Sequence, residues 1–173
     1  MVAGGSRASF RATGRDCAVG TLARTRLLVF RLDGQRYALA LGSVERVIQV
    51  VELTPLPGAP AIVAGAIDVE GRILPVFCLR RRLQQPSREI IPSDQLLIAR
   101  IRDRTVALLI DEAQGVIECE PSAVIDPGGI VPGLEQFQGL VQLADGLVLI
   151  HDLPKFLSAD EVLALDCAMG RIE

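Results

Sequence analysis

The chain has 173 residues, half of them hydrophobic, with a net charge of −3 and only 3% aromatics. That length suits one domain or two small lobes sharing a core. No apolar run approaches the roughly eighteen residues of a membrane span, and the first residues lack the apolar core of a secretory signal. Nucleic acid is a poor ligand for an acidic body with few rings, since backbone binding needs positive surface and base stacking needs aromatics.

Charge is uneven along the chain. Residues 1–26 carry Arg7, Arg11, Arg15, Arg24 and Arg26 against Asp16 alone, a net of +4, which leaves −7 on the rest of a chain of net −3. Residues 1–25 read as a basic, flexible N-terminal tail. They lack the aromatic or amphipathic pattern of a nucleic-acid or lipid-binding arm. Cys17, Cys78, Cys119 and Cys167 are scattered without a CxxC pair. This spacing fits reduced thiols in the cytoplasm rather than a disulfide framework or a zinc site.

In chain order, "LLVFRL" (27–32) and "QRYALAL" (35–41) flank Asp33-Gly34, a strong hairpin signal. "GSVERVIQ" (42–49) reads as one or two helical turns. "VAGAIDV" (63–69) and "RILPVF" (72–77) form a second hairpin through Glu70-Gly71. "LRRRLQQ" (79–85) reads as a short helix with a solvated basic face, stopped by Pro86; Pro86 and Pro92 bracket a polar connection between two lobes. A third hairpin joins "QLLIARI" (95–101) to "TVALLID" (105–111), and "GVIECE" (115–120) is a further short strand. "DPGGIVPG" (126–133) is a loop by composition. "QGLVQL" (138–143) and "LVLI" (147–150) pair through Ala144-Asp145-Gly146. Ser158 and Glu161 have the spacing of a capping box opening a C-terminal helix, with Val162, Leu165 and Met169 on one face. About ten short strands with tight turns predict an all-β fold with a few short helices: two five-stranded, SH3-like barrel lobes and a C-terminal helix.

Reaction chemistry is hard to find. The single histidine, His151, ends a strand, and a thiol hydrolase would need Cys78 beside it. Asp111-Glu112 and Asp160-Glu161 read as turn and helix-start charges, too sparse for a metal site. "GGIVPG" matches neither phosphate-loop pattern. The residues point to no catalytic centre, no metal and no cofactor. A β-rich body of this kind suits binding to other proteins.

Four segments spanning about residues 26–165 resemble the CheW-like family of bacterial chemotaxis coupling proteins. They are "LLVFRLDGQRYALALGSVERVIQ", "LPGAPAIVAGAIDVEGRILPVFCLRRRL", "VALLIDEAQGVIECEP" and "GLVQLADGLVLIHDLPKFLS". The second is similar to the family's most distinctive run: a Pro-x-x-hydrophobic-x-Gly start, a hairpin, then hydrophobic-Pro-Val. The resemblance implies residues 26–173 as one CheW-like domain of two barrel lobes. It also implies a cytoplasmic, non-enzymatic adaptor between the regulatory domain of a histidine kinase and the cytoplasmic tip of a chemoreceptor, or a non-standard receptor. No nucleic acid and no direct membrane insertion are expected. The alternative is a small thiol-dependent hydrolase using Cys78 and His151.

The chain departs from the family pattern around the second hairpin. Asp68 and Glu70 stand where the family usually has Asn and Arg, and Cys78 where it has Asp. Arg46 stands where it has Glu. Two charges of the receptor-facing region are thus exchanged between Arg46 and Glu70. Partner contacts are expected at Val44, Arg46, Ala66, Asp68, Glu70 and Arg72; the two exchanged charges either meet and fix the hairpin or are ordinary surface charges.

Overall fold

The computed structural model describes residues 24–125 and 137–170. Among the described residues, ten strands form two five-stranded sheets, and they lie in two compact units. One unit comprises residues 1–42 and 114–152, the other residues 43–113 and 153–173. The tail at residues 1–25 lies outside the described residues apart from its end, and so does the loop at 126–133.

In the first unit, β1 (Thr25–Leu32) and β2 (Gln35–Ala40) form the first hairpin through Asp33 and Gly34, both at positive φ. β8 (Glu112–Cys119) lies beside β1. β9 (Phe137–Leu143) and β10 (Gly146–His151) form another hairpin, and β10 runs parallel to β2 with Ile150 opposite Ala38. The sheet order is β8-β1-β2-β10-β9. Leu27, Val29, Ala38, Val141, Val148 and Ile150 form its buried cluster. Phe30, Tyr37 and Phe137 stack in series with centroids 5.9 and 6.1 Å apart.

The second unit holds β3 (Val44–Gln49), β4 (Val63–Val69), β5 (Arg72–Cys78), β6 (Gln95–Ile101) and β7 (Arg104–Ile110), in the order β3-β6-β7-β5-β4. Ile67, Leu74, Val76, Leu96, Ile98 and Ala107 fill its core. α1 (Leu79–Arg82) follows β5. α2 (Ala159–Gly170) carries the expected capping box: the Ser158 amide donates to Glu161 Oε2 at 2.9 Å, and the Glu161 amide to Ser158 Oγ at 3.2 Å. Leu165, Ala168 and Met169 are its buried face.

The two sheets share one wiring. Each has a hairpin (β1-β2, β6-β7) running parallel to the second strand of another hairpin (β10, β5), with an outer strand on the far side (β8, β3). In each, the segment after the outer strand bridges back to the opposite edge, Thr54 to Ala66 and Ile125 to Leu140. A glycine precedes each bridging residue. A Cβ on Gly65 would lie 2.7 Å from the Thr54 carbonyl oxygen, and one on Gly139 would lie 2.3 Å from Val124 Cγ1. Glycine thus leaves room for the Thr54 backbone at one seam and for the Val124 side chain at the other.

Two expectations are corrected. "GSVERVIQ" is not a helix but a 3-10 turn at Leu41–Ser43 followed by strand β3. Val44 pairs with Ala99 and Arg46 with Ile98, so Glu45 is the extra residue of a β-bulge. The connection between Pro86 and Pro92 does not separate the lobes: it lies wholly inside the second unit.

Candidate functional site

The turn between β4 and β5 is a two-residue turn with Glu70 at φ 52° and Gly71 at φ 86°. Both values suit a type I′ hairpin, whose twist matches the flanking strands. Glycine, asparagine and aspartate enter this left-handed region most readily, so a glutamate there carries a steric cost. Asp68 supports the turn: its Oδ1 accepts a hydrogen bond from the Gly71 amide at 2.8 Å.

Two ion pairs cross from β3 to this turn. Arg46 donates to Glu70 Oε2 at 2.6 Å, and Arg72 donates to Glu45 Oε1 at 3.1 Å. The bulge at Glu45 lets two successive side chains of β3 reach the same turn, which regular alternation would not allow. Both pairs are open to water. Side-chain exposure is 42% for Arg46 and 72% for Glu70, so each pair contributes only about 0–1 kcal/mol to stability.

The structure brings Arg46, Asp68, Glu70 and Arg72 to one rim, with Val44 half-buried at the start of β3. Ala66 does not belong to that surface. It is 2% exposed and exchanges backbone hydrogen bonds with Thr54, so it offers nothing to a partner. Glu45 belongs to the rim but escaped the sequence reading, because a helical assignment turned it away from Arg72.

The arginine run after β5 is no solvated face. Arg80 is buried and grips both oxygens of Asp111 at 2.9 Å. Arg81 donates to the Ala61 carbonyl at 2.6 Å. Arg82 pairs with Glu161 and lies over the Phe156 ring, 5.4 Å from its centroid. Burial pushes the Glu161 carboxyl up, but the Ser158 amide and Arg82 outweigh it and hold the carboxyl below its ordinary value. These guanidiniums tie the second unit together.

A thiol hydrolase finds no footing. His151 is 2% exposed and packs edge-on against Phe137, 5.2 Å between centroids. Cys78 belongs to the other unit, half-buried at the N-cap of α1. Burial pushes the Cys119 thiol up, away from the reactive thiolate. Among the described residues, no three His, Cys, Asp or Glu side chains are grouped to hold a metal ion. No helix among them is long and apolar enough to cross a membrane.

The family model for the CheW-like domain matches residues 26–161. The chain belongs to the CheW-like domain family. The chemotaxis protein CheW of Bacillus subtilis is 31% identical over 99 residues, which span 57% of this chain and 64% of that protein. The CheW of Thermotoga maritima is 29% identical over 141 residues, covering 76% of this chain and 86% of the relative. The crystal structure of the scaffolding protein TtCheW from Thermoanaerobacter tengcongensis superposes with a TM-score of 0.73 at 23% identity, covering 80% of this chain and 96% of that one. That likeness fixes the CheW-like fold, two lobes included.

Proposed function

We propose that the chain is a non-enzymatic adaptor of bacterial chemotaxis or a related signalling pathway. It couples the regulatory domain of a histidine kinase to the cytoplasmic tip of a chemoreceptor, or to a receptor of non-standard sequence. The observation that carries this reading is the family match over residues 26–161, which takes in both sheets. An adaptor needs shaped surface rather than a reaction centre. The charged side chains described above are engaged in ion pairs and caps, as that role allows. Its place of work is the cytoplasm, where kinase and receptor tip meet.

In this reading Val44, Arg46, Asp68, Glu70 and Arg72 form a partner-facing rim. A partner suited to an arginine at the turn would meet the wrong sign at Glu70, so the natural partner carries a basic residue there. The test is a calorimetric titration of the purified protein with kinase regulatory domains from the same genome. Micromolar affinity, about −8 kcal/mol, is expected. No heat and no co-elution with any such kinase would overturn the adaptor reading.

A further inference from the structure

Residues 83–94 connect α1 to β6 within the second unit. Backbone bonds tie the ends of this connection: the Gln85 amide donates to the Arg80 carbonyl at 2.8 Å, and the Asp94 amide to the Ile91 carbonyl at 2.9 Å. Its middle is tied by guanidiniums. Arg80 donates to the Pro86 carbonyl at 3.2 Å. Arg88 lays a two-pronged bond on Asp94, at 3.0 and 2.7 Å, and reaches Asp111 at 2.9 Å. Asp111 is gripped from beneath by Arg80. The anchor points are interior, with Arg80 6% and Asp94 3% exposed.

Under the connection lies a cavity of about 20 Å³, room for about one water molecule. Arg88 and Ile90 of the connection line it together with Cys78, Leu109 and the Arg80, Asp94 and Asp111 side chains. The tip residues Ile90 and Ile91 are exposed, so they add little burial to hold the segment down. The sheet beneath has its own backbone ladder, β6 to β3 and β7.

We propose that residues 86–91 form a strap that Arg88 clips shut over Cys78, and that the strap opens as a local unit while the sheet beneath stays paired. A segment held by a few side-chain bonds, with its apolar tip in water, opens at far lower cost than a strand held by a ladder. Lysine can replace the clip only in part, because one ammonium cannot present the planar fork that meets Asp94 and Asp111 together. Access to the Cys78 thiol is thereby gated by a charge network some residues away in sequence.

Peptide-resolved alkylation with iodoacetamide, run beside amide hydrogen exchange on the full chain, tests this. Arg88→Ala should raise the Cys78 labelling rate about tenfold or more, since charge-assisted bonds are lost. Amides of 86–91 should lose protection while those of β6 and β7 keep it. Arg88→Lys should show a smaller rise of the same pattern. An unchanged Cys78 rate would overturn the proposal, as would protection lost equally from β6 and β7. Should Arg88→Ala not fold, the wild type in sub-denaturing urea gives the same reading. Strap amides that exchange ahead of β6 and β7, with little dependence on urea, support the strap; exchange in step with them refutes it.

Discussion

Arg46 and Glu70, 24 residues apart in sequence, meet at 2.6 Å across the mouth between β3 and the β4-β5 turn. The two charges are opposite, so the contact is attractive. A double-mutant cycle isolates that relationship. Glu70→Arg alone should weaken partner binding through like-charge contact with Arg46, and adding Arg46→Glu should restore much of it. In thermal melts the coupling should stay within about 1 kcal/mol, as for exposed pairs. A coupling of zero in both melting and binding would show that the turn has no role beyond chain reversal.

Glu70 also sits at φ 52° in the first turn position. Asparagine reaches that conformation at lower cost. Glu70→Asn is expected to raise stability by up to about 1 kcal/mol in denaturant titration while weakening partner binding. Loss of stability beyond about 1 kcal/mol would mean that the ion pair, not the backbone, governs this turn.

Cys78 caps α1 without a side-chain hydrogen bond. Aspartate at an N-cap accepts from the first free amides of the helix. Cys78→Asp should therefore stabilise the protein by about 1 kcal/mol, read from the urea midpoint at constant m value. A drop in midpoint would show that burial of the new carboxylate outweighs the cap.

At the seams, Gly65→Ala and Gly139→Ala should each cost about 1–3 kcal/mol. The Gly65 change presses on the Thr54 backbone and the Gly139 change on the stiff Val124 side chain. Gly42→Ala, where a Cβ meets nothing within 4 Å, is the control. Equal melting temperatures for all three variants would contradict the close approach.

Burial pushes the Asp94 carboxyl up, but hydrogen bonds from Arg88 and the Ile91 amide, with the charges of Arg88 and Arg80, hold it below its ordinary value. A carboxyl depressed in the fold binds its proton more weakly than in the unfolded chain. Its stabilisation is thus full above the unfolded value of about 3.9 and is lost as pH falls through the folded one. Urea titrations below about pH 4 should show stability declining with acid, and Asp94→Asn should be less stable at pH 7 with a shallower decline. Parallel curves for the two proteins would exclude Asp94 as a source of the acid response.

The hairpins were legible because turn chemistry is local: Asp33-Gly34 and Glu70-Gly71 announce reversals without reference to anything distant. The capping box at Ser158 and Glu161 was legible for the same reason. β3 was misread because a bulge imitates a helix. With Glu45 inserted, Val44, Val47 and Ile48 fall at the spacing of a helical face although the chain is extended. The arginine run was misread because its partners, Asp111 and Glu161, lie 31 and 79 residues away. The likeness of "LLVFRLDGQRYALAL" to "LLIARIRDRTVALLI" is visible in the sequence. The matching strands recur in the same chain order, β1 to β5 and then β6 to β10, with starts 68 to 74 residues apart. That spacing is longer than the roughly 20–50 residues of common repeats and is shared between two interleaved sheets, so the repeat does not stand out. Opposite charges at Arg46 and Glu70 left a meeting as one of two readings, and the 2.6 Å contact decides it, whereas Ala66 looked available because alternation alone does not reveal the bridge to Thr54.

The shared wiring sets a timetable for synthesis. All strands of the second sheet lie between Val44 and Ile110, so it can close while the remainder of the chain is still being made. The first sheet draws β1 and β2 from residues 25–40 and its other three strands from residues 112–151. Its leading hairpin, apolar and first to emerge, must wait for partners made more than seventy residues later, and loops of that length close slowly. The half that appears first is therefore finished last, and the interval is when an unpaired β1-β2 ribbon is most open to capture by a chaperone or by another nascent copy.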